Sequence, residues 1–87
     1  IDEESLMSNE NRGKYDQAFL EVLSLELEQL NETLEYQSVP TWDSVAHMSL
    51  VAELEDIFDI ELDMDDIVDF GTYLLGVETI RKYGVDI

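Results

Sequence analysis

Residues 41–48 read TWDSVAHM and directly follow Pro40, the only proline in the chain. Asp43 and Ser44 are residue types that begin helices, because their side-chain oxygens accept hydrogen bonds from the free N–H groups of the first turn. The residues of one face then recur at the three- and four-residue spacing of an amphipathic helix; they are His47, Leu50, Val51, Leu54, Ile57 and Phe58. The stretch therefore predicts a helix from Ser44 to Phe58 or Asp59 that buries this face.

The same helix carries a second, narrower apolar stripe. It consists of Val45, Met48 and Ala52, with Ser44 at its head. The first face is already apolar, and a helix at the edge of a small fold cannot bury both, so we expect this stripe to bind partner proteins. Acidic residues accompany it; they are Glu53, Glu55, Asp56 and Glu61. The simpler alternatives are that the stripe belongs to the core and that the acids only face solvent.

The start of this helix resembles that of the carrier proteins, the family of acyl and peptidyl carriers. The residues that carry the resemblance are Asp43, Ser44, Val45, Leu50, Leu54, Glu55, Phe58 and Ile60. In that family the serine of an Asp-Ser-Leu or Asp-Ser-Val motif bears 4′-phosphopantetheine. The resemblance implies that Ser44 is the attachment site and that Asp43 assists the modifying transferase. Since Asp-Ser-Val also occurs by chance, its position at the head of the central helix gives it weight.

The loop before the motif departs from the family. The usual leucine-glycine pair is replaced by Pro40, Thr41 and Trp42. In this respect the chain resembles specialised, free-standing carriers more than the main fatty-acid carrier.

Composition bounds the fold and the chemistry. The 87 residues suffice for one domain with a modest core. The absence of cysteine excludes a disulfide framework, a thiolate metal site and a thiol nucleophile, so thioester chemistry would need sulfur from a prosthetic group. No apolar run approaches the length of a membrane span and no signal-peptide pattern is present, so the expected location is the cytoplasm.

The charge of the chain is strongly negative and unevenly distributed. Twenty-two acidic residues stand against four basic ones, for a net charge of −18. The four basic residues lie near the two ends of the chain; they are Arg12, Lys14, Arg81 and Lys82. Such a surface repels nucleic acid and anionic membranes and attracts basic patches on proteins. We therefore expect protein partners with basic docking patches, and neither a nucleic-acid nor a membrane partner.

The chain is expected to divide into a flexible lead-in, residues 1–13, and a carrier domain, residues 14–87. A helix is predicted from Lys14 to about Ser24, followed by a long loop to Asp43. A longer helix with leucines at heptad spacing is the alternative, but two heptads are too few for a stable coiled coil. The resemblance implies that four loop residues pin the loop to the core; they are Leu25, Leu30, Leu34 and Tyr36.

The rest of the chain predicts two more helices. Residues 59–63 are expected to form an extended link and residues 65–70 a short helix or turn. Thr72 is a candidate N-cap for a last helix from Tyr73 to Tyr83, which Gly84 would end. The predicted fold is all-α: a small antiparallel four-helix bundle, with a long loop between helices one and two and a short third helix.

Two other functional interpretations, a catalytic histidine and a calcium-binding loop, have less support than the carrier interpretation. His47, the only histidine, lies three residues after Ser44, but no third catalytic group or oxyanion hole accompanies the pair, so a partly buried structural histidine is expected. The acidic run from Asp59 to Asp66 lacks the glycine and the final glutamate of a calcium loop. We therefore predict no catalytic residue and no metal site.

The expected function is that of a monomeric carrier with no enzymatic activity of its own. As the resemblance implies, a phosphopantetheinyl transferase would move 4′-phosphopantetheine from coenzyme A to Ser44. An acyl- or aminoacyl-loading ligase would then charge its thiol, and acyltransferases would use the acyl cargo. One alternative is an aminoacyl or peptidyl carrier, for example for D-alanine. An alternative of another class is an acidic adaptor or nucleic-acid mimic, and a hydrolase is least supported.

The sequence constrains the identity of the cargo less than it constrains the site of its attachment. In the family the helices part to shelter an acyl chain among core residues; the residues implied here are Phe19, Leu50, Leu54, Ile67 and Tyr73. Tyr73 and His47 would make the interior less favourable to a long alkyl chain. Short acyl, hydroxyacyl and aminoacyl cargo all remain open.

Overall fold

The computed structural model describes the backbone of residues 3–87 and the side chains of residues 10–87. Its four helices are α1 (Glu3–Leu23), α2 (Ser44–Phe58), α3 (Met64–Asp69) and α4 (Tyr73–Lys82). The loop between α1 and α2 contains a 3-10 turn at Leu27–Gln29. From residue 3 to residue 87 there is no β-strand, and the extended pairing is limited to one antiparallel bridge between Glu35 and Thr72. The all-helical class and the predicted bounds of α2 are confirmed.

The predicted start of the first helix at Lys14 is wrong, because α1 begins at Glu3. The turn before Lys14 is anchored by tertiary contacts. The Asn11 side-chain amide donates a hydrogen bond to the carbonyl of Asp86 at 2.6 Å, and the Arg12 guanidinium lies 5.1 Å from the centre of the Tyr73 ring. Polar contacts of this kind leave no apolar periodicity in the sequence. The division into lead-in and carrier domain stays a prediction.

The end of α1 is close to the predicted one. Ser24 adopts the left-handed conformation (φ 53°), and the N–H of Leu25 bonds back to the carbonyl of Leu20 at 3.2 Å. The chain therefore turns away at this point. The longer heptad helix is not formed, and Leu27, one of its apolar positions, is 67% exposed.

An aromatic cluster fills the core. The Phe19 ring is its hub, with centroid distances of 4.9 Å to Tyr15, 5.4 Å to Trp42, 5.4 Å to Tyr73 and 6.1 Å to Phe70. Two of these pairs, those with Trp42 and Tyr73, meet edge to face, an arrangement that the quadrupoles of aromatic rings favour. From α2 the fully buried residues are Leu50 and Leu54, with Val51 almost so. The predicted buried face of α2 is confirmed.

The long loop is fastened to the turn between α3 and α4. The N–H of Tyr36 donates to the carbonyl of Gly71 at 2.8 Å, and the N–H of Tyr73 donates to the carbonyl of Leu34 at 3.0 Å. Leu34 is buried and Tyr36 partly buried against the core, as are the other two predicted pinning residues, Leu25 and Leu30. The loop is thus an ordered part of the fold.

Caps set the limits of α4. The Thr72 hydroxyl accepts a hydrogen bond from the N–H of Leu75 at 2.9 Å, which confirms the predicted N-cap. After Lys82 the chain leaves the helix, and Gly84 has a positive φ of 89°, a conformation that glycine adopts without strain. In the described part of the chain no helix is both long and apolar enough to cross a membrane.

Candidate functional site

The candidate site is the N-terminus of α2, which Asp43 caps. Asp43 has an extended backbone (φ −107°, ψ −174°), and its Oδ1 accepts a hydrogen bond from the N–H of Ala46 at 2.8 Å. Its carbonyl accepts the N–H of His47, also at 2.8 Å, and so begins the helical ladder. The sequence left open whether Asp43 or Ser44 is the cap. The cap is Asp43, and Ser44 is exposed in the first turn.

Trp42, known from the sequence only as a departure from the family's loop, is completely buried. Its ring meets Phe19 edge to face at 5.4 Å and Phe70 edge to face at 6.4 Å. It also stacks on His47, with 6.0 Å between the ring centres and an interplanar angle of 28°. The residue directly before Asp43 is therefore fixed in the core, and this fixes the position of Ser44 relative to α1 and α3.

His47 connects α2 to α3 through both of its ring nitrogens. Nδ1 accepts the indole N–H of Trp42 at 3.0 Å, and Nε2 lies 2.9 Å from the carbonyl oxygen of Ile67. Because a carbonyl can only accept, Nε2 must carry the proton, and a neutral ring protonated at Nε2 satisfies both bonds. The predicted partly buried position is confirmed. In this arrangement neither nitrogen is free to take a proton from Ser44.

A groove of about 330 Å³ opens beside Ser44 between α2 and α3. Its α2 wall is Ser44, His47 and Met48; its α3 wall is Met64, Ile67 and Val68. Three further residues, Tyr36, Phe70 and Gly71, complete the lining. None of the nine residues is charged, although the chain as a whole carries a net charge of −18.

The predicted partner stripe is exposed. Val45 is 76% and Met48 52% exposed, and Ala52 is also at the surface. On α3, Met64 and Val68 are 70% and 73% exposed and share the groove with Met48. The apolar surface around Ser44 is thus formed by two helices, and sequence reasoning missed the α3 part of it.

The acidic residues predicted beside the stripe do not all behave alike. Glu53, Asp56 and Glu61 are exposed, whereas Glu55 is half-buried. A carboxylate oxygen of Glu55 accepts the N–H of Leu62 at 2.8 Å, which holds the extended link after α2. Glu55 therefore makes a structural contact within the fold.

An ion pair and a tyrosine fasten α3 to the end of α4. Lys82 Nζ and the Tyr83 hydroxyl each donate to Asp66, both at 2.5 Å, and the Tyr83 hydroxyl accepts the N–H of Asp63 at 2.9 Å. The hydrogen bond from Lys82, followed by that from Tyr83, holds the pKa of Asp66 below its ordinary value of 3.8. The same bond from Lys82 to Asp66 raises the pKa of Lys82 above 10.5.

This cluster occupies the run that superficially suggested a calcium loop. Asp66 is paired with Lys82, and α3 begins inside the run at Met64. Among the residues that the structure describes, no three histidine, aspartate or glutamate side chains are grouped so as to hold a metal ion.

Comparison with models of known protein families, with curated proteins and with solved structures finds no match for this chain.

Two kinds of signal could have found the site residues that the sequence reasoning missed. Trp42 and Phe70 are large aromatic side chains next to loops, and each is for that reason a candidate for burial. Met64 and Val68 lie four residues apart, the spacing of one helix face. Their short helix gave too little periodicity for that face to be recognised.

Proposed function

We propose that the protein is a carrier whose Ser44 hydroxyl accepts 4′-phosphopantetheine, and that its helices adopt the antiparallel four-helix bundle of the carrier family. One observation carries the proposal. Ser44 is exposed in the first turn of α2 and opens directly onto the uncharged groove between α2 and α3. An exposed serine can be reached by a transferase, and an apolar groove beside it can hold the apolar part of an attached phosphopantetheine and its cargo.

The residues at the N-terminus of α2 suit a phosphodiester. Asp43 satisfies the N–H of Ala46, so the Ser44 hydroxyl is not needed as a cap. The positive end of the helix dipole and the remaining N–H groups of the first turn favour negative charge at Ser44. When bound, the group supplies the thiol that this cysteine-free chain lacks.

In the attachment step the Ser44 oxygen attacks the β-phosphorus of coenzyme A. A new oxygen–phosphorus bond forms at Ser44, the bond to adenosine 3′,5′-bisphosphate breaks, and the serine proton passes to a base of the transferase. The chain supplies only the nucleophilic oxygen and its placement. The engagement of both His47 nitrogens by Trp42 and Ile67 supports a carrier without a catalytic base of its own.

The partners follow from the surface around Ser44. Exposed methionine and valine side chains on α2 and α3, next to exposed acids such as Glu53, Asp56 and Glu61, fit enzymes with an apolar contact and a basic rim. These would be the transferase, a loading ligase and acyltransferases. Acyl cargo is proposed, with aminoacyl or peptidyl cargo as the alternative. The monomeric state and the cytoplasmic location stay predictions.

Intact mass before and after incubation with coenzyme A and a promiscuous phosphopantetheinyl transferase tests the proposal. We expect a gain of one phosphopantetheine, absent in Ser44→Ala. Ser49→Ala is the matched control, because Ser49 is also an exposed serine of α2 and should leave the gain intact. No gain on the folded protein with two different transferases would overturn the proposal.

The charge supports one candidate of another class, an acidic adaptor that occupies basic sites on other proteins. No lysine or arginine lies between residues 15 and 80, so most acids in that region have no basic partner nearby in sequence. For an adaptor, Ser44→Ala would leave binding to its partner unchanged. For a carrier, the same change abolishes cargo loading while the fold persists.

A further inference from the structure

The groove beside Ser44 is closed on its inner side by aromatic rings. Phe70 lines the groove and is itself completely buried, so it belongs to the inner wall. The His47 ring stands against it edge to face at 5.5 Å. Trp42 contacts both rings and does not line the groove, so it lies behind them. On the His47 side the groove is thus separated from the core hub Phe19 by two rings, His47 and Trp42, and on the Phe70 side by one, since Phe70 stacks directly on Phe19 at 6.1 Å.

One hydrogen bond spans the two helices at this wall. His47 Nε2–H donates to the carbonyl of Ile67, from α2 to α3, while Nδ1 is held by Trp42. A chain that passed between α2 and α3 into the core would have to separate His47 from Ile67. That separation leaves the imidazole N–H and the carbonyl without partners in an apolar setting, which is unfavourable. The imidazole therefore both lines the groove and joins α2 to α3. We call its hydrogen bond to the Ile67 carbonyl the His47–Ile67 latch.

We infer that His47 determines cargo size: the groove accepts a short, uncharged chain attached through Ser44, and the His47–Ile67 latch keeps longer chains out of the core. The occupant follows from two facts, that Ser44 is part of the lining and that no charged residue is. Methylenes beyond the capacity of the groove stay in water and gain nothing from it. The inference rests on the proposed function for the identity of the occupant.

The test places alkyl chains of increasing length at position 44 without any transferase. Since the chain has no cysteine, Ser44→Cys introduces a single thiol. Methyl, butyl and octyl methanethiosulfonates convert it to mixed disulfides with release of methanesulfinate, and intact mass confirms each adduct. The measured quantity is the melting temperature of each adduct relative to that of the methyl adduct. It is measured in three proteins: the Ser44→Cys parent, the parent that also carries His47→Ala, and the parent that also carries His47→Gln.

We expect the butyl chain to raise the melting temperature of the parent and the octyl chain to add nothing further. With His47→Ala the octyl chain should exceed the butyl chain, because each methylene that becomes buried favours the sheltered state by about fourfold. With His47→Gln the parental profile should persist, since the glutamine amide can donate to the Ile67 carbonyl. A purely structural role of His47 would lower all melting temperatures together and leave the differences between adducts unchanged.

Two results would overturn the inference: an octyl chain that stabilises the parent more than a butyl chain does, or the same chain-length profile with and without His47. Both results are measured on the alkyl adducts of the Ser44→Cys proteins and need no transferase. They can therefore be distinguished from a failure of Ser44 to accept phosphopantetheine. If Ser44 is modified, octanoyl and butyryl coenzyme A provide a second measurement. Hydroxylamine should then cleave both thioesters at rates within about twofold in the wild type, and the octanoyl ester about tenfold more slowly with His47→Ala.

Discussion

The indole N–H of Trp42 donates a hydrogen bond to Nδ1 of His47 across 3.0 Å, and the two rings stack. Asp43 and Ser44 lie between these two residues in the sequence. The cap and the exposed serine are therefore held from both sides, by a buried indole before them and a half-buried imidazole after them. A surface residue obtains a defined position because its neighbours in sequence belong to the core.

Replacing Trp42 with phenylalanine should destabilise the protein by about 1–3 kcal/mol, because the change leaves Nδ1 of His47 without a donor in a largely buried site. Urea unfolding measures the loss. The control is Tyr36→Phe, which alters a partly buried ring that also contacts Trp42 and should change the free energy of unfolding by less than about 0.5 kcal/mol. Equal losses in the two variants would show that the Trp42–His47 bond contributes nothing specific.

Gly76 and Gly13 form a matched pair of helical glycines with opposite expectations. A Cβ at Gly76 would overlap the Tyr15 hydroxyl and lie 2.7 Å from Cε1 of Phe70. The Tyr15 hydroxyl cannot easily move, since it donates to the carbonyl of Tyr73 at 2.5 Å. Gly76→Ala should therefore cost about 1–3 kcal/mol despite the better helix propensity of alanine.

At Gly13 nothing lies within 4 Å of an added Cβ. Gly13→Ala should stabilise the protein by about 0.5–1 kcal/mol through helix propensity alone. Thermal unfolding of both variants makes the comparison. A stabilising Gly76→Ala would contradict the close approach of α4 to the aromatic cluster.

The Asp66 cluster predicts a specific dependence of stability on pH. Because folding lowers the pKa of Asp66 below 3.8, its contribution is complete above pH 3.8 and is lost as the pH falls through the folded value. Wild type should therefore exceed Asp66→Asn in stability at neutral pH, and the difference should shrink at more acidic pH. Urea midpoints from pH 7 to pH 2 measure it. A difference that stays constant over this range would mean that the ionised Asp66 does not hold α3 to α4.

The exposed Met48 allows a test of the partner surface. Met48→Glu should lower kcat/KM of the transferase for this carrier about tenfold, as loss of one central apolar contact does in protein interfaces. Leu27→Glu is the control, because it introduces the same charge at an exposed apolar side chain of the loop far along the chain from Ser44. Equal effects of the two variants would assign the change to charge and not to docking at Met48.

Local patterns were sufficient for much of the fold. The spacing of Leu50 and Leu54 gave the buried face of α2, and Thr72 gave the start of α4, because both depend on neighbours within one helix. The helical turn just before Lys14 was not predictable from local pattern, since its Arg12 contacts Tyr73, far away in sequence. The same applies to the groove, whose α3 wall meets Ser44 only in the folded chain.

At the site itself, the sequence indicated Asp43 and Ser44 but not which of them caps the helix. Both residue types accept hydrogen bonds from a first turn, so composition alone cannot decide. Trp42 was visible as an unusual residue, yet its burial depends on Phe19 and Phe70, which no local pattern connects to it. Prediction succeeded where one element determines the outcome and failed where two or more elements meet.

Trp42 is the only tryptophan in the chain, and it lies fully buried among aromatic rings, one residue from the cap and two from the serine. The protein therefore contains its own optical probe at the position of greatest interest. Indole emission would come from this one residue, without a label. A change in the groove, in the contact with His47 or in the attachment of α3 would change the wavelength or the intensity of that emission.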